Sequence, residues 1–170
     1  MLISRLAYRT RQFWKALAGP HMRVETETLQ PHLTRLQIDL FRRMQASEQV
    51  HAFKVLEHLK AAGQTDPDLL AAALIHDAGK SLHPPTVLDR VIVVLGSRFF
   101  RKGAARWSAG VPAGLHRPFV VAANHPAWGA DLAIQAGASA RTIDLIRRHH
   151  DPLSPDDPLL IALQAADDAN

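Results

Sequence analysis

The sequence predicts an all-α fold, a helical bundle of about seven or eight helices with an extra amphipathic helix at the N-terminus. Apolar residues recur at helical spacing along most of the 170-residue chain. Helix-starting signals stand at Asp66-Pro67, Ser139 and Asp157-Pro158, where a side-chain oxygen can cap the first turn. Gly63 and Gly137 stand where two of the helices should end.

The composition describes one globular domain without cysteine. A hydrophobic share of 47% is enough for a buried core, and zero cysteines exclude disulfides, thiolate zinc sites and iron–sulfur clusters. No apolar run approaches the roughly 20 residues of a membrane span, and the N-terminus lacks the apolar core of a signal peptide. We therefore expect a cytoplasmic protein, in which any metal is held by histidines and carboxylates.

Basic residues are concentrated in two stretches that contain no acid. The second stretch lies between Asp89 and Asp131. Such stretches suit phosphate-bearing ligands or anionic lipid, although each could also be an ordinary solvated face. The first stretch, residues 1–20, accounts for the whole net charge of +4 through Arg5, Arg9, Arg11 and Lys15.

Residues 1–20 are predicted to form a basic amphipathic helix that ends at Gly19-Pro20. Such a helix either packs on the domain, which we favour, or makes a peripheral membrane contact. Residues 21–46 are predicted to be a linker and a helix with an apolar stripe, and residues 47–170 are predicted to form the main domain. The stripe consists of Leu33, Leu36, Leu40, Phe41 and Met44.

Six helices are expected within the main domain, with a loop over Gly103 to Pro118. Pro84-Pro85 separates the second helix from the third, and a short apolar entry, Phe119 to Ala123, precedes the fourth. The helices are expected from Ser47 as N-cap to Ala62, from Asp66-Pro67 to Ala78 with Gly79 as breaker, from Thr86 to Lys102, from His125-Pro126 to Ala136, from Ser139 to His149 or His150, and from Asp157-Pro158 to the C-terminus.

Histidines and carboxylates recur near the ends of these helices, in a way that suits one shared site. Neutral imidazole and ionised carboxylate together bind borderline divalent metals. Each residue alone has an ordinary explanation, such as a cation at a helix C-terminus or a half-buried polar edge. The candidates are His51, the pair His76-Asp77, His125, the pair His149-His150, and Asp167.

In this order the residues resemble the HD-domain superfamily of metal-dependent phosphohydrolases. The motif His76-Asp77-Ala78-Gly79-Lys80 fits the HDxGK pattern, and residues 125–132 fit HPxxGAxL. Both patterns, with the later histidine pair, are similar to the two-metal branch, which includes the HD-GYP phosphodiesterases and the symmetrical diadenosine tetraphosphate hydrolases. Asp151-Pro152-Leu153 stands where HD-GYP proteins have Gly-Tyr-Pro, which argues against a cyclic-di-GMP enzyme.

The resemblance implies one or two divalent transition ions, of manganese, iron, zinc or nickel. It implies Asp77 as a bridging and catalytic residue, and Lys80 as a catalytic residue that contacts a phosphate oxygen or the leaving group. Asp131 is a candidate to orient an imidazole. The ligands implied for one ion are His51, His76, Asp77 and Asp167, with Asp168 as the alternative last ligand, and for a second ion Asp77, His125, His149 and His150.

The resemblance also implies a small phosphate-ester or nucleotide-like substrate and no sequence-specific binding of nucleic acid. Arg98, Arg101 and Lys102 are the candidate substrate-binding residues of the basic stretch, with Trp107 available for stacking. The same stretch could instead contact a membrane surface or a second copy in a homodimer. The alternative function is a non-catalytic HD-type module that binds a ligand, or that regulates at a membrane surface.

Overall fold

A computed structural model describes residues 24–99, 107–108 and 110–170, and for residues 97–99 it describes the backbone alone. Every regular element in these ranges is a helix, so the predicted all-α fold is confirmed. The helix predicted for residues 1–20 lies outside the described residues. The α-helices are α1 Thr26–Leu29, α2 Arg35–Arg42, α3 Ala46–Ala61, α4 Pro67–Ile75, α5 Val87–Phe99, α6 Arg117–Gln135, α7 Ala140–Arg148 and α8 Pro158–Ala169.

Three predicted helix starts are confirmed by their capping hydrogen bonds. The side chains of Asp66, Ser139 and Asp157 each accept a backbone N–H from the first turn of α4, α7 and α8. The predicted N-cap at Ser47 is wrong, because α3 begins at Ala46 after Gln45. The Ser47 hydroxyl instead accepts a hydrogen bond from Arg90 at 3.0 Å. Its side chain therefore contacts a residue far away in the sequence and does not cap the helix.

Helix α4 lies at the centre of the core. Every residue from Leu69 to Ile75 is buried, and the helix packs against α2, α3, α7 and α8. A helix that is apolar on all sides needs such an enclosed position. The stripe predicted on α2 is only partly buried, because Leu36 is 59% exposed while Leu40 and Phe41 join the core.

A 3-10 helix, His76–Leu82, follows α4 directly, which corrects the expectation of one α-helix continuing to Ala78. Gly79 does not break the helix but lies within this tighter segment. A Cβ atom at Gly79 would lie 2.1 Å from the backbone oxygen of His125. Glycine is therefore required where this segment crosses α6.

Helix α6 begins at Arg117, with Pro118 in its first turn, and continues through Pro126 to Gln135. The expectations that His125-Pro126 opens this helix and that Phe119 to Ala123 precedes it are both wrong. An internal proline removes one hydrogen bond of the helix. Here α6 still runs through it, packed against the 3-10 helix, α5 and α7, and His125 points from the middle of a long helix.

Candidate metal centre

Five elements bring the predicted ligands to one place. Helix α3 carries His51, the 3-10 helix begins with His76-Asp77, and α6 carries His125. His149 and His150 follow the end of α7, and Asp167 lies in the last turn of α8. Three overlapping groups of these side chains have ligand atoms within 4.8 Å of one another: His51 with His76 and Asp167, His76 with Asp77 and His149, and His125 with His149 and His150.

Three of the histidines are held in the orientation that metal ligands need. The Nδ1 atoms of His76, His125 and His149 donate hydrogen bonds to the backbone oxygens of residues 73, 121 and 146 at 2.9, 3.1 and 2.7 Å. A carbonyl oxygen can only accept, so Nδ1 carries the proton in each ring. Each Nε2 is buried without a hydrogen-bond partner among the described residues. Unpaired imidazole nitrogens that converge in a buried site fit a metal ion.

The first donor group combines two imidazoles with a carboxylate. His51 Nε2 lies 2.8 Å from Oδ1 of Asp167, and His76 Nε2 lies 3.6 Å from the same oxygen. Asp168, the alternative ligand, has an exposed side chain and belongs to none of the groups. The fold therefore turns Asp167 rather than Asp168 toward the centre.

The second donor group consists of imidazoles alone. The ring centroids of His125 and His149 are 5.2 Å apart, and the ring of His150 lies 4.8 Å from His125 and 4.3 Å from His149. His125 and His149 are buried, whereas His150 is exposed. The group is therefore closed toward the core and open on the side of His150.

Asp77 lies between the two groups and is 2% exposed. Its Oδ1 is 3.2 Å from Nε2 of His125. Its Oδ2 is 3.5 Å from Nε2 of His76 and 3.9 Å from Nε2 of His51. One carboxylate thus presents one oxygen to each donor group, which is the arrangement that a carboxylate bridging two cations requires.

The electrostatics of the centre favour positive charge at its middle. Burial disfavours charge on His76, but Asp77 and Asp167 outweigh it and raise the pKa of His76 to about 9. Burial also opposes the charge on Asp77, but Lys80 and His76 hold the pKa of Asp77 well below its ordinary value. Burial, with His76 nearby, holds the pKa of His149 well below its ordinary value. The centre therefore combines ionised carboxylates with a neutral imidazole, which suits a divalent cation.

Lys80 borders this centre. Its Nζ donates a hydrogen bond to Oδ2 of Asp77 at 2.7 Å. A 3-10 helix repeats every three residues, so Asp77 and Lys80 lie in one row along it. Burial opposes the charge on Lys80, but Asp77 and Glu48 outweigh it and raise the pKa of Lys80 above its ordinary value.

Glu48 was missed by the sequence analysis. It is 4% exposed and pairs with Lys80 at 3.4 Å and with Arg90. The available signal was its position on α3, three residues before His51 and so on the neighbouring part of the same helix surface.

Other sequence candidates lie elsewhere. Asp131 pairs with Arg147 at 3.1 Å on the surface, so it does not orient an imidazole of the centre. The Trp107 ring packs against His116 and Phe119, with centroid separations of 6.0 and 5.2 Å. The Arg98 side chain and the residues Arg101 and Lys102 lie outside the described residues.

The helical bundle and its convergent imidazoles and carboxylates define a candidate metalloprotein. The family model for the HD domain matches residues 49–169, well over half of the chain, and the chain belongs to this family. No curated protein and no solved structure matches it. Most members of the family are metal-dependent hydrolases, and membership suggests metal-dependent phosphohydrolase activity in general. The likeness to the two-metal branch stays a prediction from the motifs.

Among the described residues, no helix is both long enough and apolar enough to cross a membrane.

Proposed function

We propose that this protein is a two-metal phosphoesterase that hydrolyses a small, nucleotide-like phosphate ester. The observation that supports two ions is the position of Asp77, with Oδ1 toward His125 and Oδ2 toward His76. A site for one ion needs no carboxylate between two separate donor groups. In this proposal Asp77 is the bridging ligand.

His51, His76, Asp77 and Asp167 would hold one cation. Asp77, His125, His149 and His150 would hold the other. A donor set of nitrogen and oxygen atoms, without sulfur, suits manganese, iron, zinc or nickel. Within the described part of the chain, the Nε2 atoms of the three buried histidines have no hydrogen-bond partner. This supports the assignment, since buried polar atoms rarely lack such partners.

When bound, paired divalent cations activate water and neutralise the charge that develops on a phosphoryl group. The chain's own residues would supply the positioning. The hydrogen bonds from each Nδ1 to a backbone oxygen fix the rings of His76, His125 and His149. Lys80, next to Asp77, would contact a non-bridging phosphate oxygen or the leaving group.

The proposal of a phosphate-rich substrate rests on the positive charge of one stretch of the chain. The stretch between Asp89 and Asp131 contains no acid, and a phosphate-rich substrate needs basic partners near the centre. Arg98, Arg101 and Lys102 remain the proposed substrate contacts. A non-catalytic module is the weaker proposal, because every donor type of a two-ion site is present in the chain.

The proposal is tested by purifying the protein without chelator and measuring bound metals. We expect about two transition ions per chain. The manganese-loaded protein is then screened against mononucleotides, dinucleoside polyphosphates, cyclic nucleotides and alarmones. A protein that stays metal-free with manganese and iron supplied, or a loaded protein that hydrolyses no ester, would contradict it.

A further inference from the structure

Glu48 is a buried carboxylate that belongs to none of the three donor groups. Its Oε2 lies 3.4 Å from Nζ of Lys80, and its Oε1 pairs with the guanidinium of Arg90. Burying a carboxylate is costly unless it is paired, and here two cations from two other elements pair with it. The proposed metal ligands leave this arrangement unexplained.

Among the described residues, Lys80 pairs with two carboxylates, Asp77 and Glu48, and bound cations would compete with it for Asp77. Asp77 accepts a hydrogen bond from the Lys80 ammonium at 2.7 Å, but in the proposed function the carboxylate of Asp77 would serve as a ligand for both cations. Like charges close together repel, so the bound ions would push Lys80 away from Asp77. Glu48 offers Lys80 a carboxylate that the metals do not use.

We propose that Glu48 is a positioning residue that holds the Lys80 ammonium beside the metal centre, where it meets the phosphoryl group of the substrate. The inference rests on the proposed function. Helix α3 then supplies both a metal ligand, His51, and the residue that places the cationic side chain. Arg90, which also donates to Ser47 at 3.0 Å, holds the other oxygen of Glu48 and fixes its direction.

The test compares Glu48→Gln with Lys80→Met in the manganese-loaded full chain. We expect each variant to lose roughly tenfold or more in kcat/KM, a loss typical of one charged contact to a reacting group. Metal content per chain should stay at the wild-type value in both. Binding of inorganic phosphate, measured by calorimetry, should weaken by a similar factor in both variants.

Three further variants separate positioning from a structural role. In the Lys80→Met background, Glu48→Gln should cause no further loss, because residues that act through one contact are not additive. Glu48→Asp keeps the charge and should recover part of the loss. Arg90→Gln breaks the pair with Glu48 but leaves Lys80 its carboxylate, so it should cost less than Glu48→Gln.

Wild-type kcat/KM in Glu48→Gln, or loss of metal from that variant, would overturn the inference. It would also be overturned if the losses of Glu48→Gln and Lys80→Met added up in the double variant, or if Arg90→Gln lost as much kcat/KM as Glu48→Gln. If Glu48→Gln does not fold, Glu48→Asp is made in the wild-type and in the Lys80→Met background instead. A loss of kcat/KM that disappears in the Lys80→Met background supports the inference, and a loss that persists there, or no loss in either background, overturns it. An inactive, metal-free wild type would instead overturn the proposed function itself. An active wild type with an unaffected Glu48→Gln would overturn the role of Glu48 alone.

Discussion

Oδ1 of Asp77 lies 3.2 Å from Nε2 of His125, while Oδ2 of the same carboxylate faces His76 at 3.5 Å. Asp77 comes from the 3-10 helix and His125 from the middle of α6. Their contact joins a donor group built by α3, the 3-10 helix and α8 to a second group built by α6 and the end of α7.

Substituting one ligand in one donor group should remove one ion and leave the other bound. His51→Ala and His125→Ala should each leave about one ion per chain, since each belongs to a different group, whereas Asp77→Ala should leave none. Phosphatase activity should be lost in Asp77→Ala while the helical content persists. Elemental analysis and circular dichroism after dialysis measure these outcomes. Equal metal loss in all three variants would mean one shared site.

The two adjacent carboxylates of α8 should behave differently. Asp167→Asn removes the negative charge of the carboxylate whose Oδ1 lies 2.8 Å from Nε2 of His51, and it should lower metal affinity by about 10- to 100-fold. Asp168→Asn is the matched control, because its exposed side chain belongs to no donor group. Competition with a chromogenic chelator gives both affinities. A larger effect of Asp168→Asn would move the assignment to that residue.

The crossing of the 3-10 helix and α6 should not tolerate a side chain at Gly79. A Cβ atom there would lie 2.1 Å from the oxygen of His125 and 2.6 Å from the nitrogen of Gly129. Gly79→Ala should therefore cost roughly 3 kcal/mol of unfolding free energy and reduce metal binding. Urea denaturation measures the cost.

Gly129→Ala is the graded comparison for this crossing. Its Cβ would meet backbone atoms at 3.2 Å, which a shift of a few tenths of an ångström relieves. We expect a cost of about 1 kcal/mol or less, partly offset by the better helix propensity of alanine. A cost equal to that of Gly79→Ala would mean that close approach at Gly79 is not the controlling feature.

Asp157 should contribute a pH-dependent part of the stability. Its hydrogen bond with Arg141 lowers its pKa to about 2 against the opposing effect of burial, with help from the Leu160 N–H and Arg148. A carboxylate with a lowered folded-state pKa stabilises above its unfolded pKa of about 4, and this stability is lost as the pH falls toward 2. Asp157→Asn should therefore destabilise by about 1–2 kcal/mol at pH 6, and the difference from wild type should shrink between about pH 4 and pH 2.

Urea midpoints across this pH range measure the difference for Asp157→Asn. Asp156→Asn, which removes the neighbouring exposed carboxylate, is the control and should leave stability nearly unchanged at each pH. Asparagine caps a helix about as well as aspartate, so a destabilisation by Asp157→Asn that stays constant from pH 6 to pH 2 would contradict a contribution from the charge of this side chain.

Helix starts were predictable because their causes are local. Asp66, Ser139 and Asp157 cap backbone groups within three residues, so the signal and its partner share one stretch of sequence. The same local reasoning gave a wrong helix start at Pro126. Its local preference for a helix start was overridden within α6, which packs along the 3-10 helix and α7.

The sequence by itself determined the all-α class, the family and the set of candidate ligands, because periodicity, caps and motif order are properties of neighbouring residues. Only the tertiary structure decided that Asp167 rather than Asp168 faces the centre, that Asp77 lies between two donor groups, and that Glu48 pairs with Lys80. These relationships join residues far apart in the chain. The distances between them depend on how closely the helices approach one another where they cross. The crossing at Gly79 is an example, because an added Cβ there would lie 2.1 Å from a backbone atom of α6.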